Sequence, residues 1–106
     1  MTTNDIAALM AGIGRKAVAA ERELALADNE TKNRALHAAA AALREHSEEI
    51  LAANEADMQA ARAGGIGKAA LDRLRLDPGR VEAMAAGLEE IAALPDPVGR
   101  VAAEWE

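Results

Sequence analysis

The sequence predicts an all-α fold of four or five helices with an extended C-terminal tail. Three observations carry this expectation. Apolar residues recur at three- and four-residue steps through most of the chain. Helix starts and stops are marked by Asp, Ser, Gly and Pro at the positions where capping places them. No alternating apolar and polar run of the kind that builds a strand occurs before Val98. The joining segments are short, which sets neighbouring helices antiparallel and makes a helical bundle or helical layer the default arrangement.

The first helix is expected from Asn4 or Asp5, with Ile6, Leu9, Met10, Ile13, Ala17 and Ala20 on one face and Gly12 and Gly14 weakening its middle. Asp28 reads as the cap of a second helix that places Glu30 near its positive end and turns Leu36, Ala39, Ala40 and Leu43 inward. Glu30 and Arg34 are spaced to pair on its wet side. His46-Ser47 interrupts the pattern. Ser47, followed by Glu48 and Glu49, reads as a fresh start for a third helix carrying Ile50, Leu51, Asn54 and Met58 and stopping at Gly64-Gly65. A short turn over Lys68 to Leu74 leads to Asp77-Pro78, a cap followed by a proline whose missing donor costs nothing in the first helical position. Val81, Met84, Leu88, Ile91 and Leu94 then form a stripe, and Pro95 and Pro97 bracket the exit. Residues 1–97 are therefore expected as a helical segment and 98–106 as an extended tail whose Val98, Val101 and Trp105 call for burial.

With 106 residues, 51% hydrophobic and 28% charged, the chain fits one soluble domain or one piece of a larger one. About a quarter of it is Ala, and Phe and Tyr are absent, so large core-forming side chains are few. That thinness favours a chain stabilised by a partner surface or by self-association. The net charge of -6 is spread along the helices, which argues against nucleic acid as a partner. No cysteine is present, and with it go thiolate nucleophiles, disulfides and thiolate metal sites. The longest apolar run, Ala38 to Leu43, is too short to span a bilayer, and no signal region is evident; a cytoplasmic location is expected.

Each motif that suggests chemistry has a plainer reading. Gly12-Ile13-Gly14-Arg15-Lys16-Ala17 matches a dinucleotide fingerprint in letters, yet that motif needs a strand feeding a tight turn, and the preceding residues are helical in pattern. Gly64-Gly65-Ile66-Gly67-Lys68 fails as a phosphate loop, because Arg62 stands at the first glycine position and Ala69 where the hydroxyl belongs. His37 and His46 are not at metal-ligand spacing on one helical face. Glu48-Glu49 and Glu89-Glu90 are adjacent pairs whose members point about 100° apart, so neither makes a convergent acid and base. Ser47 is the only serine and completes no triad. No residue is assigned a catalytic, cofactor-binding or metal-binding role. The amphipathic stripes leave two readings open, a bundle interior and a helical layer docking on a further domain.

Several stretches carry a family resemblance: Lys32-Asn33-Arg34-Ala35-Leu36, Ile50 with Ala53-Asn54 and Asp57, Ala61-Arg62-Ala63 with Gly65, Leu71-Asp72-Arg73-Leu74 with Leu76, Arg80, and Leu94 with Asp96-Pro97-Val98-Gly99 and Val101. In this order and spacing the text resembles the N-terminal segment of the gamma-glutamyl phosphate reductases, also called glutamate-5-semialdehyde dehydrogenases. The resemblance implies an α/β parent with an aldehyde dehydrogenase-like fold, which reduces L-glutamyl 5-phosphate to glutamate 5-semialdehyde with NADPH in proline biosynthesis. It also implies that the cysteine nucleophile and the nucleotide-binding strands lie downstream of these residues. The expectation is thus a structural fragment, inert alone, holding no cofactor itself and partnered by the remainder of the reductase chain in a homo-oligomer. A stand-alone helical interaction protein acting by homo-oligomerisation is the alternative.

Overall fold

The computed structural model describes residues 2–106. Five helices follow one another: α1 (Thr3–Leu26), α2 (Asn29–Glu45), α3 (Ser47–Ala63), α4 (Lys68–Leu74) and α5 (Pro78–Ala92). Among the described residues there is no strand, and Val98 to Val101, expected as strand-like, forms no ladder. The Arg100 N–H donates to the Pro97 carbonyl at 3.2 Å, and Gly99 takes a φ of +82°, so residues 97–100 form a tight turn and 101–106 carry no regular structure. Glycine in that position reaches the left-handed region without a Cβ clash.

Local chemistry explains each boundary. α1 starts at Thr3, a residue or two before the expected start, because Thr2 and Asp5 form a reciprocal cap: the Asp5 N–H donates to Thr2 Oγ1 at 3.2 Å and the Thr2 N–H to Asp5 Oδ2 at 3.0 Å. The helix runs unbroken through Gly12 and Gly14. Asp28 caps α2 as expected, accepting from the Thr31 N–H at 2.8 Å. α2 and α3 are separated by His46 alone, whose backbone still bonds in both directions at helical spacing. Ser47 is the first residue of α3, but the cap position is His46, with no side-chain hydrogen bond.

α3 ends where the two glycines stand. The Ile66 N–H donates to the Ala61 carbonyl and the Gly65 N–H to the Arg62 carbonyl, with Gly65 at φ +75°, a Schellman ending. Lys68–Leu74, expected as a turn, is a seven-residue helix, capped at Gly67 by backbone alone. Asp77 caps α5, accepting from the Arg80 N–H at 2.8 Å, with Pro78 opening the helix.

The chain divides into two compact units, the first holding the chain up to Lys32 together with Pro95–Glu106, the second Asn33–Leu94. In the second unit α3 packs on α4 and α5. Its core is Ala40, Met58, Ala61, Val81, Ala85 and Ala92, so burial is dominated by alanine and only Val81 is a larger side chain wholly withdrawn from water. The stripe expected on α5 therefore splits. Val81 is buried and Leu88 half-buried, but Met84, Ile91 and Leu94 are 44, 53 and 61% exposed. Ala85 and Ala92 take the inward places instead, since small side chains let helix backbones approach closely. Ala39 of α2, expected inside, is also exposed.

In the first unit α1 has no buried residue over its 24 positions. Its expected face, Ile6, Leu9, Met10 and Ile13, stands about half exposed. The tail ends with Trp105 88% exposed.

Candidate functional site

The polar side chains that the fold draws together act as braces. Asn54, on the apolar stripe of α3, is the only buried polar residue among those described. Its Nδ2 donates to the Leu74 carbonyl and its Oδ1 accepts from the Leu76 N–H, both at 2.9 Å. The amide thereby substitutes for a second backbone and pairs two backbone groups at the end of α4.

The α4–α5 junction is tied by charge. Arg75 Nη1 lies 2.8 Å from Asp77 Oδ2, and Arg80 Nη1 donates to the Arg75 carbonyl at 2.6 Å and also to the Asp72 carbonyl. The Arg75 guanidinium, with the Arg80 N–H, holds the Asp77 carboxyl below its ordinary range, and the Asp77 carboxylate raises Arg75 in turn. Across from this, Arg44 in the last turn of α2 grips two carboxylates of α5, Glu89 at 2.6 Å and Glu82 at 2.8 Å. Both grips are bidentate, and both glutamates are held below the usual carboxylate range by the guanidinium, while Arg44 is pushed up.

In the first unit Lys32 Nζ donates to Asp96 Oδ2 at 2.9 Å, and the other Asp96 oxygen accepts from the Val98 N–H at 3.0 Å. Lys32, with that N–H, lowers the Asp96 pKa. Beside this pair an open groove runs along α1, floored by Ala17, Ala20, Leu24 and Ala25 and edged by Glu21, Lys32 and Val98.

The motif residues read from the sequence land as follows. Gly12 to Ala17 lie inside α1, and Gly64 to Lys68 form the α3 ending and the start of α4, so neither is a turn fed by a strand. His37 stands mid-α2, and His46 Nδ1 approaches Glu49 at 3.5 Å. The adjacent Glu89 and Glu90 do point apart: Glu89 is held by Arg44, whereas Glu90 is exposed. The Glu30–Arg34 pair expected on α2 is not formed. Among the described residues no three His, Cys, Asp or Glu side chains converge as a metal set. No helix of the structure is long and apolar enough to cross a membrane.

Sequence reasoning did not find Arg44, Glu82 and Lys32–Asp96 as braces. Their partners lie 38 to 64 positions away, beyond the reach of any helical spacing. Asn54 did carry a signal, a polar residue on an apolar stripe.

Fold and surface together define a helical segment whose polar residues brace its joints and whose larger apolar residues stand uncovered. The chain is 57% identical over 105 residues to the gamma-glutamyl phosphate reductase of Paramagnetospirillum magneticum, a match covering 99% of the chain and 25% of that relative. It is 59% identical over 102 residues to that of Methylocella silvestris, covering 96% and 24%. With that of Rhodospirillum rubrum it shares 58% over 106 residues, covering 100% and 25%. Its resemblance to the N-terminal segment of gamma-glutamyl phosphate reductase is thereby shown over nearly its whole length. The chain spans about a quarter of the length of these relatives. No family model and no solved structure matches it.

Proposed function

We propose that the chain serves as the N-terminal helical part of a gamma-glutamyl phosphate reductase, an oxidoreductase of proline biosynthesis that reduces L-glutamyl 5-phosphate to L-glutamate 5-semialdehyde with NADPH in the cytoplasm. Its role there is structural and the chain alone is inert. The observation that carries the reading is identity of 57 to 59% across nearly every residue with relatives of that name. A second observation supports it. Several residues that carry the resemblance also brace the fold: Lys32 with Asp96, Asn54 with Leu74 and Leu76, and Arg80 with Asp72.

The uncovered Met84 and Ile91 of α5, with Leu94 just past its end, make a natural seat for the remainder of the reductase chain, because burying each there removes apolar area from water at ~25 cal/mol per Å². NADPH does not fit the residues present. One glycine-rich stretch lies inside a helix and the other joins two helices, and neither follows the strand that a pyrophosphate seat requires. In this reading the nucleotide and the nucleophile belong to the remainder of the enzyme.

A chimera tests the proposal. The matching quarter of the Rhodospirillum rubrum reductase is replaced by this chain, and NADPH oxidation with L-glutamyl 5-phosphate is followed. The chimera is expected to retain activity that deletion of the same quarter abolishes. An inactive, folded chimera overturns the reading.

A further inference from the structure

From the pattern and charge of α1 we infer that this helix is a contact between two copies of the chain, pairing in parallel and in register. The inference deepens the homo-oligomeric expectation drawn from the sequence and rests on it. Ile6, Met10, Ile13, Ala17, Ala20 and Leu24 follow one another at alternating steps of four and three, the spacing of a two-helix seam, over the length of α1. All six are exposed. Among the described residues nothing buries this stripe.

Charge chooses the occupant and its direction. With Ile6, Ile13 and Ala20 in one seam position and Met10, Ala17 and Leu24 in the other, Lys16 and Glu21 fall on opposite flanks. In a parallel pair, a flanking residue faces the partner's residue five places further on. Lys16 of each copy then meets Glu21 of the other, and twofold symmetry makes the ion pair twice. An antiparallel pair would instead set Lys16 against its own copy at the axis. Neither side chain is engaged in an ion pair among the described residues. Glu21 also edges the groove over Ala17, Ala20 and Leu24, where the short floor lets a second helix approach.

The chain has no cysteine, so introduced ones report orientation without ambiguity. Sedimentation of the 106-residue chain over a concentration series is expected to show a dimer. Oxidised Ile6→Cys is expected to form a disulfide with itself, as is Leu24→Cys. In an antiparallel pair the two copies of either position would stand about 27 Å apart, given roughly 1.5 Å of rise per helical residue. Glu21→Lys is expected to weaken the dimer at least severalfold, and Lys16→Glu combined with Glu21→Lys to restore it, with helix content by circular dichroism unchanged because both side chains are exposed. A monomer at all concentrations overturns the inference. So does cross-linking of Ile6→Cys only to Leu24→Cys chains, or a double variant no better than the single one. None of these outcomes bears on the chimera's activity, so the two proposals fail separately.

Discussion

At the scale of single residues, this fold leans on a few polar side chains because its apolar ones are small. Asn54 shows the logic most directly. Its amide bonds a carbonyl and an N–H in the α4–α5 joint, so Asn54→Ala removes two hydrogen bonds and leaves both groups without the amide. The variant is expected to lose about 1 to 3 kcal/mol of stability, the cost of leaving buried polar groups unmade, read as a lower urea midpoint by circular dichroism. A midpoint unchanged from that of the parent would show that water replaces the amide. Asn54 was visible in the sequence as a polar residue in an apolar stripe. Its partners were not, since Leu74 and Leu76 offer only backbone and backbone groups carry no letter.

At the scale of elements, capping chemistry is written locally and is read correctly wherever a side chain does the capping. Asp28, Asp77 and the glycine pair after α3 each act where the sequence places them. Ser47 opens α3 as the sequence reads it, and the one-residue bend at His46 needs no side-chain cap. The α2–α5 brace is where elements become sensitive to pH. Arg44 holds Glu82 and Glu89 below the ordinary carboxylate range, with His37 near Glu89 adding a smaller pull in the same direction. Carboxyls depressed in the folded state stabilise it fully above their unfolded pKa, and that contribution drains away as the pH falls through their folded values. Stability is therefore expected to be flat from neutral pH down to about pH 5 and to fall below the unfolded carboxylate pKa near 4. Glu82→Gln with Glu89→Gln should flatten this acid limb, measured as thermal midpoint against pH. An acid limb of the same slope in the variant would place the effect elsewhere, with Asp77 and Asp96 as the remaining depressed groups.

At the scale of the whole molecule, a core of alanines around Met58 and Val81 leaves little cooperativity to spare. The isolated chain is expected to melt broadly, and Trp105, 88% exposed, to emit at long wavelength and be fully open to iodide quenching. A sharp two-state melt in a proven monomer, or blue-shifted and protected emission, would show that the tail finds cover within the chain. The exposed faces of α1 and α5 have the same cause as the weak core. Larger apolar residues are placed where this chain has nothing to cover them.

The sequence by itself determined the helical class, the order and most boundaries of the helices, the caps and the kinship with gamma-glutamyl phosphate reductase, because each depends on neighbours within a turn or on the text itself. Tertiary structure alone decided which side of α5 is inside, which carboxylates are held by arginine, and that Lys68–Leu74 is a helix and residues 97–100 a turn. Periodicity marks an apolar face without saying whether alanine or leucine gets closest. When the neighbouring helix comes near enough, the smaller side chain takes the inside and the larger one is left in water.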